Sequence, residues 1–238
     1  MVKIEMSKLN LYSIFHGNLN YSSISPKIYD KIIDSCYWPV LDLVKEYKFK
    51  SGIEFPLNTI LQIEKIDPLF LEELKKLINK NKFEMICSSK EQVVFPLVPK
   101  DVNKINLEIG KKELEKKFNT KIKTAFINEQ LFSSSLAKLY VESGFKNIIT
   151  IWEWASKISL LNNKQKFNPK TISTDLGNLN VIWNSYISYQ KFQRYVNGEI
   201  EKNEFFDYII KNKSENISCF PFYGSDMEIF GYKNPVLG

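Results

Sequence analysis

Short apolar runs alternate along the whole chain with longer amphipathic stretches, and this alternation restricts the fold more than any other feature. The runs are Leu9–Phe15, Phe49–Phe55, Phe83–Cys87, Ile122–Ile127, Asn147–Ile151, Leu179–Trp183 and Ile217–Phe222. Continuous apolar character over so few residues suits strands of a parallel sheet buried on both faces. The intervening stretches read as helices. After Asp67-Pro68, the residues Leu69, Phe70, Leu74, Leu77 and Ile78 mark one helical face, with Asp67 as N-cap and Pro68 in the first turn. Asn106–Phe118 and Ser133–Ser143 read the same way, the second closed by Gly144. Strand and helix alternating over seven strands predicts a parallel α/β architecture, met by a seven-stranded (β/α) barrel, complete or distorted, or by an open doubly wound sheet. No repeat, low-complexity tract or linker interrupts the pattern, so residues 1–238 are expected to form a single domain.

Function classes are then removed one by one. No glycine-rich loop follows any strand, and nine glycines leave little room for one, which argues against a dinucleotide-binding fold. The net charge of +6 comes from lysines spread over helical faces such as 111–118, where acids alternate with them. Without a dense basic block or an aromatic-basic motif, no nucleic-acid partner is expected. Cys36, Cys87 and Cys219 are odd in number, far apart and in apolar surroundings, which predicts free buried thiols and a reducing cytoplasm. Neither a signal-type apolar core nor a stretch long enough to span a bilayer occurs, so no membrane association is expected. One histidine in the whole chain is too few for the usual zinc sites or imidazole-activated nucleophiles. Chemistry here must therefore rest on carboxylates, helped at most by His16, with no metal and no cofactor.

In parallel α/β folds functional groups gather at the carboxyl ends of the strands. Those ends carry His16-Gly17-Asn18, Glu54, Ser88-Ser89 with Glu84 within its strand, Asn128-Glu129-Gln130, Trp152-Glu153-Trp154, Asn184 with Tyr186, and Ser225-Asp226-Met227-Glu228. Such a rim is acidic, aromatic and rich in amides. It suits sugars, whose hydroxyls pair with carboxylates and amides while the ring faces stack on Trp and Tyr. Cleaving a glycosidic bond needs two carboxyl groups, one protonating the leaving oxygen and one stabilising or attacking the oxocarbenium-like carbon. On spacing alone, many carboxylate pairs of this rim qualify.

The order of these segments resembles the family 57 glycoside hydrolases, retaining enzymes that act on α-glucans through a seven-stranded (β/α) barrel. Residues 16-HGN-18 match the position of the family's first motif, with Gly-Asn in place of Gln-Pro. Residues 81-NKFEM-85 resemble its second, with Glu84 as the acid, and 125-AFINEQLF-132 places Glu129 where the third carries the nucleophile. The closest match is 225-SDMEIFG-231 to the fourth motif, Tyr-Asp-x-Glu-x-Phe-Gly, which gives Asp226 as acid/base and Glu228 as a supporting carboxylate. The resemblance implies a retaining hydrolase or 4-α-glucanotransferase, with His16, Glu84, Asn128, Trp152, Trp154 and Glu228 as substrate contacts. Family members continue into a helical C-terminal region, whereas this sequence ends at Gly238, so the resemblance implies a fragment, a minimal homologue, or a chain whose cleft a second chain or domain completes.

Other readings of the same residues stay open at this stage. Glu129 could serve only the dipole of the helix beyond it, and Asp226 with Glu228 a short terminal helix. Trp152 and Trp154 alternate across a strand end, so one should pack in the core while the other faces the cleft. The barrel could also be an inactive homologue that binds a glycan or a protein. A polysaccharide deacetylase is disfavoured by the single histidine.

Overall fold

The structure, a computed structural model, describes residues 9–20, 24–158, 166–212 and 219–232. Among these, eight strands form: β1 (Asn10–His16), β2 (Ser51–Glu54), β3 (Phe83–Ile86), β4 (Thr124–Phe126), β5 (Asn147–Ile151), β6 (Lys170–Thr174), β7 (Gly177–Asn184) and β8 (Cys219–Asp226). The helices are α1 (Tyr29–Ile32), α2 (Trp38–Tyr47), α3 (Leu57–Ile66), α4 (Pro68–Asn79), α5 (Lys100–Phe118), α6 (Ser134–Glu142), α7 (Trp152–Ile158), α8 (Tyr186–Val196) and α9 (Lys202–Lys211). The expected parallel α/β architecture is present, in a distorted form. The strands make two four-stranded sheets, ordered β3-β2-β1-β8 and β4-β5-β7-β6, and every pairing except β6 with β7 is parallel.

One bridge joins the two sheets: Cys87 pairs with Ala125, its N–H donating to Thr124 O at 3.2 Å and its carbonyl accepting from Phe126 N–H at 3.0 Å. On the far side β7 lies against β8 with no ladder between them among the described residues. Side chains hold that seam instead. Asn184 Nδ2 donates to Gly224 O at 2.7 Å, and the Tyr12 hydroxyl donates to Trp183 O. A Cβ at 224 would lie 2.2 Å from Asn184 Oδ1, so any larger residue must displace the Asn184 side chain. The seven parallel strands thus surround a barrel that the backbone ladder does not close.

Both faces of these strands are apolar for different reasons. Ile14, Ile86, Phe126 and Ile149, with Ile182, form a small core inside the barrel, whereas Ile53, Met85, Ile148 and Val181 pack outward against the helices. Burial on both sides accounts for the unbroken apolar runs in the sequence.

The helix over Pro68–Asn79 forms as its pattern predicts, with Asp67 Oδ1 accepting from Phe70 N–H at 3.1 Å. Gly144 closes α6 at φ +78°, while α5 starts earlier than expected, at Lys100, and ends on Asn119 at φ +50°. Two strand expectations need correction. β6 was not anticipated, because its residues alternate between half-buried and exposed and offer no apolar run. β8 continues to Asp226 instead of stopping at Phe222, since Gly224 and Ser225, which look like loop residues, stay in register with Ile14 and Phe15. The start of that expected strand, Ile217 and Ser218, lies outside the described residues.

Candidate active site

Parallel pairing places three polar side chains in register across neighbouring strands. His16 at the end of β1 pairs with Glu54 at the end of β2 on one side and with Asp226 at the end of β8 on the other. His16 Nδ1–H donates to Glu54 Oε2, and Nε2 faces Asp226 Oδ1 at 3.7 Å. The ring is buried and stacks on Phe126 of β4, with centroids 5.6 Å apart and planes 12° apart. Burial by itself would lower the basicity of this imidazole; the charge and hydrogen bond of Glu54, then the charges of Asp226 and Glu228, outweigh it and hold the pKa at about 10.

Beyond β8 the chain turns through Met227–Phe230, and Glu228 points inward. Its Oε1 accepts the Asn18 N–H at 2.7 Å and the Tyr37 hydroxyl. Burial, and then the charge of Asp226, raise the Glu228 pKa above the usual carboxylate range, opposed by His16 and the two hydrogen bonds. Tyr37 reaches this carboxylate from a π-helical turn over Ile33–Tyr37, where an extra residue rotates the helix between α1 and α2. The same turn clamps the end of the motif. Cys36 Sγ contacts Glu228 O at 3.5 Å, and a Cβ on Gly231 would lie 2.3 Å from Ser35 O.

Glu129 enters from the other sheet, at the carboxyl end of β4. It lies in a short turn, Asn128–Gln130, and both Glu129 and Gln130 have left-handed backbones, at φ +52° and +54°. Such a conformation is costly for residues with a Cβ, and strain of this kind concentrates at functional sites. Surrounding bonds fix the turn: Ile127 N–H donates to Ile149 O at 3.2 Å, Gln130 Nε2 to Ile127 O at 3.1 Å, and Thr150 Oγ1 to Gln130 O at 3.2 Å. The exposed Glu129 carboxylate accepts Gln92 Nε2 at 3.3 Å, and Gln92 in turn accepts Asn18 Nδ2. Asn18 and Gln92 thus link Glu228 to Glu129 across the mouth of the barrel, Asn18 giving its backbone N–H to Glu228 and its side-chain amide to Gln92.

These groups line one cavity of about 1080 Å³, whose wall includes His16, Gln92, Glu129, Trp154, Tyr189 and Asp226. Tyr189, on α8, has its phenol pKa raised by burial and then by the charges of Asp226, Glu153 and Glu129, so carboxylates of both sheets act on it. Trp154 is 42% exposed. Three other expected contacts are placed elsewhere. Trp152 is 2% exposed and packs edge-on against Phe167 and Trp183 in the core. Asn128 is buried, donating to Ser89 Oγ at 3.2 Å.

Glu84 sits at the opposite, amino end of the barrel. There its carboxylate accepts Thr124 Oγ1 at 2.6 Å and starts a polar chain through Asn147, Asn180 and Thr171. The residue that meets Glu129 from the third strand's loop is Gln92, which the sequence reading missed. It lies in an irregular segment with no periodicity, and its one signal was its place five residues beyond Cys87. Glu153, buried beside the site, accepts the Ser185 hydroxyl and Tyr186 N–H at 3.3 Å, and so fixes the start of α8 that carries Tyr189.

Known proteins share the fold of this chain. A 4-α-glucanotransferase of Thermococcus litoralis is 20% identical over 123 residues, which cover 51% of this chain and 18% of that protein. Its crystal structure superposes with a TM-score of 0.81 at 18% identity, covering 95% of this chain and 34% of the other. A GH57-type branching enzyme from Pyrococcus horikoshii gives a TM-score of 0.67 at 13% identity, over 94% of this chain and 64% of that one. The chain spans about a third of the glucanotransferase it matches. The pattern of the family described as Glycosyl hydrolase family 57 matches residues 12–182, more than half of the sequence, and the chain belongs to that family.

Proposed function

We propose that this protein is a retaining glycoside hydrolase or 4-α-glucanotransferase acting on an α-glucan or a related polysaccharide, with Glu129 as nucleophile and Asp226 as acid/base. The observation that carries the reading is the convergence of these two carboxylates, one from each sheet, on a single cavity also lined by Trp154 and Tyr189. In the first step a Glu129 oxygen attacks the anomeric carbon while Asp226 gives its proton to the glycosidic oxygen, and the aglycone leaves. In the second, the Asp226 carboxylate takes a proton from water or from an acceptor sugar hydroxyl, whose oxygen displaces Glu129 from the sugar. Trp154 and Tyr189 supply faces for ring stacking, and Asn18, Gln92 and Asn184 supply amides for hydroxyls.

Residues 1–238 act in this reading as one catalytic domain, with a second chain or domain completing the cleft. The buried thiols of Cys36 and Cys87, which form no disulfide, support a cytoplasmic enzyme. No helix among the described residues is long and apolar enough to cross a membrane.

Incubation with an α-glucosyl fluoride bearing a second fluorine beside the anomeric carbon tests the mechanism. Intact-mass analysis should find one glycosyl adduct, mapped to Glu129 and absent from Glu129→Gln. Glu129→Gln and Asp226→Asn should each lower turnover of maltooligosaccharides by about 1000-fold. Uncut maltooligosaccharides and an unlabelled, folded protein would sink the proposal and favour an inactive glycan-binding barrel.

A further inference from the structure

We propose that Glu54, which touches neither the cavity nor any reacting atom, is a positioning residue that locks His16 as a fixed cation between two carboxylates at the cavity floor. The inference deepens the proposed glycosidase reading and rests on it for its catalytic consequence. The geometry comes first. Glu54, His16 and Asp226 are register partners on three consecutive parallel strands, so the backbone ladder itself sets the order carboxylate–imidazole–carboxylate. A neutral imidazole has one N–H and one lone pair. With Nδ1–H given to Glu54, a neutral ring would turn its Nε2 lone pair toward Asp226 Oδ1, 3.7 Å away. Only the doubly protonated ring presents an N–H to each side.

Burial adds a second constraint. Glu54 is 0% exposed, and its Oε1 has no hydrogen-bond partner among the described residues. Neutralising His16 would leave a buried carboxylate without its cation, among the costliest arrangements a protein interior can hold. Every group facing the pair acts in the same sense or not at all. Asp226 and Glu228 face the ring from β8 and the turn after it, and both favour the cation. Phe126 of β4 covers the ring face and carries no charge. Cys87, beyond the end of β3, is in the field of Glu54, but burial first and then that charge push its thiol up, so it stays neutral. His16 therefore serves as a permanent positive charge beside Asp226 and does not shuttle protons during turnover.

The single histidine of the chain makes the test direct, because the ring nitrogens give one assignable signal pair. In a pH titration of nitrogen-15-labelled full-length protein by NMR, both ring nitrogens of the wild type should remain protonated to at least about pH 8. A ring that titrates near the ordinary value of 6.5 overturns the proposal with no variant needed. Glu54→Gln should lower the midpoint by about two pH units or more, whereas Glu54→Asp should keep it high. An unchanged midpoint in Glu54→Gln also overturns it, and if that variant does not fold, the wild type and Glu54→Asp decide.

Kinetics supply a further readout. Glu54→Gln should lower kcat more than it raises KM and displace the alkaline limb of the pH profile, and Glu54→Asp should restore the wild-type limb. An alkaline limb that stays in place counts against the proposal. A wild type that keeps its imidazolium but cleaves no α-glucan would remove the glycosidase reading and leave the role of Glu54 toward His16 intact. The opposite pair of results would remove Glu54 and leave the glycosidase.

Discussion

Two tryptophans one residue apart, Trp152 and Trp154, have opposite roles, and substitution should separate them. Trp152→Ala removes a ring enclosed by Phe167 and Trp183 and should cost about 3–5 kcal/mol in urea unfolding. Trp154→Ala should leave the unfolding curve nearly in place while weakening maltooligosaccharide binding, measured by calorimetry, by about 1 kcal/mol or more. Gln92 is a third kind of residue, bonded to Glu129 and to Asn18. Gln92→Ala should lower kcat by up to about 100-fold with a smaller change in KM, as expected when a nucleophile loses its alignment.

Legibility in the sequence differed among these positions for physical reasons. Asp226 and Glu228 stood out in the sequence only as a match to a family motif, whose fixed spacing has a physical counterpart here: Glu228 is gripped by Tyr37 and Asn18, and Gly231 passes close to Ser35. Gln92 could not be read, since its partners are distant in sequence and a loop glutamine has no periodicity to betray it. Glu84 misled because an acid on a parallel strand can serve either end of a barrel, and here it serves the amino end.

Among the elements, strand composition revealed what is buried on both faces and concealed what is not. The buried centres of β1, β4 and β5 are apolar (Ile14-Phe15, Ala125-Phe126, Ile148-Ile149), whereas β6 lies at a sheet edge, pairs among the described residues only with β7 and shows half-buried residues at alternate positions. β8 was read short because Gly224 looks like a turn residue. It serves instead as the strand position where the Asn184 side chain approaches the backbone. Gly224→Ala should therefore push Asn184 out of the seam and cost about 1–3 kcal/mol, measured by chemical denaturation. The π-helical turn before α2 also had no signature in the sequence, because an extra residue within a helix leaves the apolar pattern of Ile32, Ile33 and Tyr37 nearly unchanged.

At the scale of the molecule, the buried imidazolium links stability to pH. His16 is more basic in the folded chain, at about 10, than its ordinary 6.5, so its contribution is complete below 6.5 and is lost as pH rises toward about 10. Glu228, also raised above its ordinary 4.5, acts in the same direction at lower pH. The urea midpoint of the wild type should fall between about pH 7 and about pH 10, and His16→Gln should flatten that fall. Among the described residues a single backbone bridge joins the two sheets, side chains hold the rest of the join, and the two candidate catalytic carboxylates stand on opposite sides of it. Their separation is thus set by how two half-barrels dock, much as a site shared between subunits depends on their interface. Warming or an Asn184→Ala change would then silence the chemistry before the fold is lost, and the loss of turnover would precede the loss of helix signal.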